Sequence, residues 1–421
     1  MDSRRIDFAA TSWLLAAVLV AGSGFIAPAV AAEAQRYEVW ALDQADTVAG
    51  KGGGLLYIWN SAAIARLPAA AKPAVIDLAA AAEAAGCPLA KRPHMLLGNH
   101  AGPASHAIIS NVASGDIHFI DIASRKIVGC VGGTGNAHAA VGSPDDSMVI
   151  VADLGGQKLH KIETDYRRNS FKLVETLSLA TEQLKASVGT PEVKPVCHNF
   201  TGDSRFAYVT LAGGGVLVVE AGSGDGGIPM KVVHAYPKTT APGIGCGAFR
   251  LPDERMVTNG ESGAKGGDDF LFVFDTRDAV SGKFPDPVKI DLPGEDTHGA
   301  AFCVDKKGNE HMLAVMRVSN DVNVVELKTR RVAKTISIAR PFSPDPKPDV
   351  SELQGNRLFV TLRGANPLTA INDLKNPART PGVAVLTVGS DCHSVSWKAA
   401  DLMPMKNNPD ADPHGLRVFR R

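Results

Sequence analysis

The sequence carries no excess charge of either sign and few aromatic side chains. Lys and Arg number 44 and Asp and Glu number 44, a formal net charge of +0, and aromatics make up 6%. A neutral chain lacks the basic footprint that holds phosphate backbones, so no nucleic-acid partner is expected. Beyond the N-terminal stretch, no segment reaches the roughly 18 uninterrupted apolar residues of a membrane helix, so no membrane span is expected. Helical periodicity is nearly absent too, the exception being the Ala-rich Leu78 to Ala85. Gly-x-Ser-x-Gly, Gly-x-x-x-x-Gly-Lys and Cys-x-x-Cys-His are all missing, which removes the usual signs of a serine hydrolase, a phosphate loop and covalent haem.

What is abundant is glycine, 42 of 421 residues, above the ordinary share of roughly 7%. Short apolar runs alternate with Gly, Asp, Asn and Pro clusters, as in all-β chains. Residues 1–31 read as a signal peptide. Arg4 and Arg5 start it, Trp13 to Ile26 is its apolar stretch, and Ala29-Val30-Ala31 is a small-x-small cleavage site. Ser3-Arg4-Arg5 resembles a twin-arginine signal, although its aromatic, Phe8, falls one place late, so the export route stays open. The expected location is periplasmic or secreted.

Residues 32–421 group into four-strand phrases that begin at His94, His138, Cys197, Cys246, His298, Asp349 and His414, spaced 44 to 65 residues apart. Four strands per repeat of this length predict a seven-bladed β-propeller. Residues 414–421 supply a first strand with nothing after it, and 32–93 hold a second, third and fourth strand without a first. The two ends thus make one composite blade, and the C-terminal strand closes the ring by joining the N-terminal strands. A pair of β-sandwich domains is the runner-up, and it leaves the complementary ends unexplained.

First strands line the central channel of a propeller, so the opening residues share one mouth. These are His94, His138, Cys197 with His198 beside it, Cys246, His298, Asp349 and His414, all metal-ligand types. Imidazole, thiol and carboxylate donors suit copper or zinc and not calcium or magnesium. The competing readings are a polar ligand pocket without metal and a structural ring of turn residues. A Cys197–Cys246 disulfide between neighbouring blades is a further alternative, and a Cys87–Cys130 disulfide fits the first full blade. Cys303 and Cys392 read as buried small hydrophobes without an obvious partner. A second group, Asp153, Asn259, Glu261, Arg317, Asn320, Arg363 and Asn366, falls on turns after second strands. Arg363 either binds an anionic ligand or cofactor at the mouth or pins loop carbonyls. His100, His106, His118, His160, His234, His311 and His393 share no position and read as surface or strand residues.

Phe206-Ala-Tyr-Val-Thr-Leu, Arg357-Leu-Phe-Val-Thr-Leu and Ser143-Pro-Asp-Asp-Ser-Met-Val-Ile-Val-Ala-Asp resemble the Pro-Asp-Gly…Tyr-Val-Thr-Asn pattern of secreted YVTN-type β-propellers. That superfamily is similar to the haem propeller of nitrite reductases, to secreted lactonases, and, in its axial histidines, to copper propellers. The resemblance implies the fold and leaves activity open. The expectation is an exported, monomeric propeller that holds copper or zinc on its axis as a metal-handling or redox protein. The alternatives are a scaffold binding a small ligand or a protein on its face and, more weakly, an oxidoreductase or hydrolase acting at the channel mouth.

Overall fold

The computed structural model describes residues 36–245, 247–262, 267, 269–369, 380–408 and 410–421. The expected signal peptide and Cys246 lie outside the described residues. Seven antiparallel sheets follow one another along the chain. Blade 1 consists of Pro93–Gly98, His106–Asn111, Ile117–Asp121 and Lys126–Val131, ordered from its inner to its outer strand. The inner strands of blades 2 to 6 are Ala137–Gly142, Pro195–Phe200, Ala248–Arg250, Thr297–Val304 and Pro348–Gln354. Blade 7 is composite. Its inner strand is the C-terminal Pro413–Arg420, paired with Tyr37–Asp43, which continues to Leu55–Asn60 and Ala74–Asp77. The expected seven-bladed ring closed by the C-terminal strand is therefore the architecture.

The core is not one cluster but seven apolar layers, one for each blade-to-blade interface. The second strand of each blade buries both faces because its sheet is covered on both sides, and so apolar runs such as Met148-Val-Ile-Val-Ala are unbroken rather than alternating. The layer between blades 7 and 1 holds the closure. There Phe419 packs edge-on against Trp40 at 5.1 Å, beside Ile109 and Leu96 of blade 1.

Two details differ from the sequence expectation. The Ala-rich helix forms at Leu78–Ala84, capped by Asp77, but Ser61–Arg66 and Glu182–Val188 are helical as well. At 6 and 7 residues they are too short to show a period, and the side chains of Asn60 and Thr181 cap them. Cys303 and Cys392 are not separate apolar residues. They form a disulfide from the inner strand of blade 5 to a turn of blade 6, spanning 89 residues. Sequence alone hid this pair because its partners come from different repeats. The Cys87–Cys130 disulfide forms as expected.

Phe419→Ala is expected to lower stability by about 3–5 kcal/mol, measured by denaturant unfolding, because it empties the closing layer. A neutral result would mean that the terminal strand is not part of the ring. Replacing Cys303 and Cys392 together by Ser should cost up to about 4–5 kcal/mol, from the loop entropy the cross-link removes. An unchanged midpoint under non-reducing conditions would show that the link does not form.

Candidate metal centre

The inner strands of blades 1, 2, 3, 5, 6 and 7 begin with a fault, while the described pairing of Ala248–Arg250 in blade 4 is regular. In blade 1 the pairing register slips between Pro93 and Met95, so that His94 is left out of the ladder. The same slip brackets His138 in blade 2, Cys197 in blade 3, His298 in blade 5 and Asp349 in blade 6. In blade 7 it falls between Pro413 and Leu416, around His414. Such β-bulges re-aim a side chain by adding one unpaired residue. Here they place the repeated position on the axis.

The bulged backbone is held by the preceding blade. Ser110 Oγ donates to the His138 carbonyl at 3.1 Å, Asn259 Nδ2 to that of His298 at 3.1 Å, and Thr361 Oγ1 to that of His414 at 2.9 Å. Gly299 and Gly415 follow two of the histidines because the inner strands nearly touch. A Cβ on Gly299 would lie 2.3 Å from the Asp349 carbonyl oxygen, and one on Gly415 2.6 Å from that of His94.

Five of the expected residues meet. His94 Nε2 lies 3.2 Å from His138 Nε2, and the His94 ring stacks on His414 with centroids 3.8 Å apart. His298 Nε2 is 3.2 Å from Asp349 Oδ1, and His414 Nε2 is 3.8 Å from Asp349 Oδ2. Donor atoms of His298, Asp349 and His414 all fall within 4.8 Å of one another. Cys197 Sγ sits 3.9 Å from His138 Nδ1. His198 is buried next to Phe200, with ring centroids 6.1 Å apart. Beside Cys197, His198 and His298 the channel opens into a cavity of about 420 Å³, walled by residues such as Met95, Ala139 and Leu353, with Arg417 also in the lining.

The proton positions follow from the partners. His414 Nδ1 faces the His94 carbonyl at 2.9 Å, and His94 Nδ1 faces Gln44 Oε1 at 3.0 Å. Both partners only accept, so both imidazoles carry their proton on Nδ1 and leave Nε2 bare. The His138 ring lies by the Val196 carbonyl, and its Nδ1 faces Cys197 Sγ at 3.9 Å. The bare His94 Nε2 faces His138 Nε2 across 3.2 Å.

Electrostatics keep these rings neutral. Burial, then the neighbouring imidazoles and Arg363, hold His94 well below its ordinary value. Burial followed by His414 brings His138 down to about 3, and burial brings His414 down to about 4 despite Asp349. Burial, then Arg317, lowers His298 strongly. Burial alone would raise Asp349, but His298, His414, Arg317 and Arg363 together hold it far below the carboxylate range. Burial pushes the Cys197 thiol up to about 12, so it is protonated.

A polar scaffold surrounds the ring. Arg363 is fully buried and grips Asp412 through Nε and Nη2 at 2.7 Å each, Asp349 through Nη1 at 2.8 Å, and Thr369 Oγ1 at 3.1 Å. Arg317 grips Asp296 at 2.7 and 2.8 Å and reaches Asp349 at 3.5 Å. Gln44 links Asp412 to His94. In the rest of the second group, Asp153 accepts from Gly135, Asn136 and Gly156, Asn320 anchors Lys347 N and Asp345, and Asn366 is exposed. Among the remaining histidines, His106, His118, His160 and His311 are buried strand residues, and His100 is exposed. Gln44, Asp296 and Asp412 were not singled out from the sequence. Two of them carry a visible signal, a repeated Asp-x-His at Asp296-Thr-His298 and Asp412-Pro-His414.

No family model and no curated protein matches this sequence. Solved structures do resemble it. Apo AztD from Citrobacter koseri aligns over 91% of this chain and 98% of its own, with 11% identity and a TM-score of 0.54. The periplasmic gluconolactonase PpgL of Pseudomonas aeruginosa covers 72% of this chain and 82% of its own, at 16% identity and TM-score 0.52. Hydrazine synthase of Kuenenia stuttgartiensis covers 70% and 76%, at 14% identity and TM-score 0.51. At these identities the likeness establishes the β-propeller fold and nothing finer.

Proposed function

We propose that this chain is an exported β-propeller that binds one transition-metal ion, zinc or copper, on its axis and serves as a metal-handling or redox protein. One observation carries the reading: the bare Nε2 of His94 faces Nε2 of His138 at 3.2 Å inside a buried cluster that also brings together donors of His298, Asp349 and His414. Two nitrogens bound at about 2.0–2.1 Å to one tetrahedral ion stand about 3.3 Å apart. With the His138 proton on Nδ1, both nitrogens offer a lone pair to a cation beside them. Protonation is opposed by burial and by the two guanidiniums, so a metal is the cation that fits.

His298, Asp349 and His414 supply three further donors already in mutual reach. Arg363 and Arg317 orient Asp349 and lower its basicity, while Gln44 fixes the His94 tautomer, as outer partners of metal ligands commonly do. In this reading Arg363 acts on the ion through Asp349. An ion held here would serve as cargo or, if copper, as an electron carrier. The absence of a membrane-length apolar helix among the described residues agrees with export to an aqueous compartment.

Purified protein equilibrated with Zn²⁺ or Cu²⁺ should retain metal after dialysis, measured by elemental analysis. The His94→Ala/His138→Ala variant should hold the axial ion at least about 100-fold more weakly while keeping the wild-type circular dichroism. Less than about 0.1 ion per wild-type chain, unchanged on adding either metal, would sink the reading.

The pH response has a definite sign. His138 and His414 titrate at about 3 and about 4 when folded, but near 6.5 when unfolded. Their neutral forms therefore contribute stability that is whole above about pH 6.5 and fades as pH falls towards 4. The thermal midpoint of metal-free protein should decline across that window. Bound metal should survive at about pH 5, where an ordinary histidine site has begun to release it. Release complete by about pH 6 would contradict the lowered proton affinity of these histidines.

A further inference from the structure

His298 faces acidic groups on both sides. Its Nε2 lies 3.2 Å from Asp349 Oδ1, and its Nδ1 lies 3.7 Å from Glu261 Oε1. A neutral imidazole has one proton and can serve only one of the two. The ring is only 6% exposed, and Nδ1 has no hydrogen-bond partner. On that side Glu261, Asp296 and His298 form a second set of donors, all buried and all within 4.8 Å of one another.

Local structure builds this second set separately from the first. Glu261 follows the second strand of blade 4, Arg255–Gly260. Asp296 stands just before the inner strand of blade 5, in the left-handed region with φ +67°, and directs its carboxylate inward to Arg317. A two-pronged guanidinium occupies one lone pair on each carboxylate oxygen, and each oxygen keeps another. The charges also fail to cancel. With Glu261 left aside, three buried carboxylates, Asp296, Asp349 and Asp412, meet two buried guanidiniums, Arg317 and Arg363, among the described residues. A buried excess of negative charge is costly unless a cation offsets it.

We propose that Glu261, Asp296 and His298 Nδ1 form a second divalent-cation site, and that the His298 ring, its N–H proton released to solvent, bridges it to the axial ion as an imidazolate. This rests on the axial reading in one respect only: the ion on the Nε2 side is the one proposed above. The donor set, one imidazole and two carboxylates, is borderline to hard and suits Zn²⁺ or Mn²⁺ better than Cu⁺. The paired centre would hold two ions on the two nitrogens of one ring.

The test is stoichiometry with Zn²⁺, read by elemental analysis after gel filtration, on the full exported chain. The wild type should hold two ions, Glu261→Gln one, and His94→Ala/His138→Ala at least the one bound through Glu261. With Cu²⁺ in place of Zn²⁺, the loaded wild type should show a spin-coupled electron paramagnetic resonance spectrum, and Glu261→Gln the spectrum of an isolated ion. One ion in both wild type and Glu261→Gln, with affinity merely lowered in the variant, would overturn the second site and make Glu261 an outer partner of His298. Two ions in Glu261→Gln would overturn it as well. An axial failure looks different: one wild-type ion that is lost in Glu261→Gln and kept in His94→Ala/His138→Ala. Wild-type circular dichroism in each variant guards against unfolding as the cause.

Discussion

Six of the inner strands give up a rung of their hydrogen-bond ladder at the start, and the centre of the molecule depends on that loss. A regular strand would send the residue at this position into a blade interface, as it does the flanking valines and alanines. The bulge turns it to the axis, and the side chain of a preceding blade takes up a carbonyl that the bulge releases. The clamp ties the site to the ring. His138 keeps its place because Ser110 of blade 1 holds its backbone, and His414 because Thr361 of blade 6 does. Ligand geometry here is thus a property of neighbouring pairs of blades.

Much of this centre is legible in the amino-acid sequence. Phrase starts at His94, His138, His298, Asp349 and His414 are enough to place five side chains in one cluster, because a repeat makes equivalent positions neighbours in space. The register slip is not legible, since no residue type marks a bulge of this kind. Cys303 and Cys392 escape for a related reason: a repeat predicts what is equivalent, and that disulfide joins positions that are not. Asp296 and Asp412 could have been found, because Asp-x-His occurs twice at the same point of the phrase. Gln44 could not, since it follows a strand of the composite blade and has no counterpart in the other repeats.

Electrostatics divide the labour among the polar groups. Burial keeps four imidazoles neutral, and the two buried arginines that pair with the carboxylates add to the effect. Neutral imidazoles are what a metal requires and what a proton would destroy. The same arginines leave neither Asp349 nor Asp412 unpaired.

The closing strand has a consequence in time. His414 reaches His94 across 320 residues of chain, through a bond that exists only once the last strand has paired with Tyr37–Asp43. Contacts this distant in sequence form late in folding. A chain still being synthesised therefore has the early histidines but no assembled cluster. The five axial side chains come together only after the ring has closed, so the surroundings at closure are the first that the complete cluster meets.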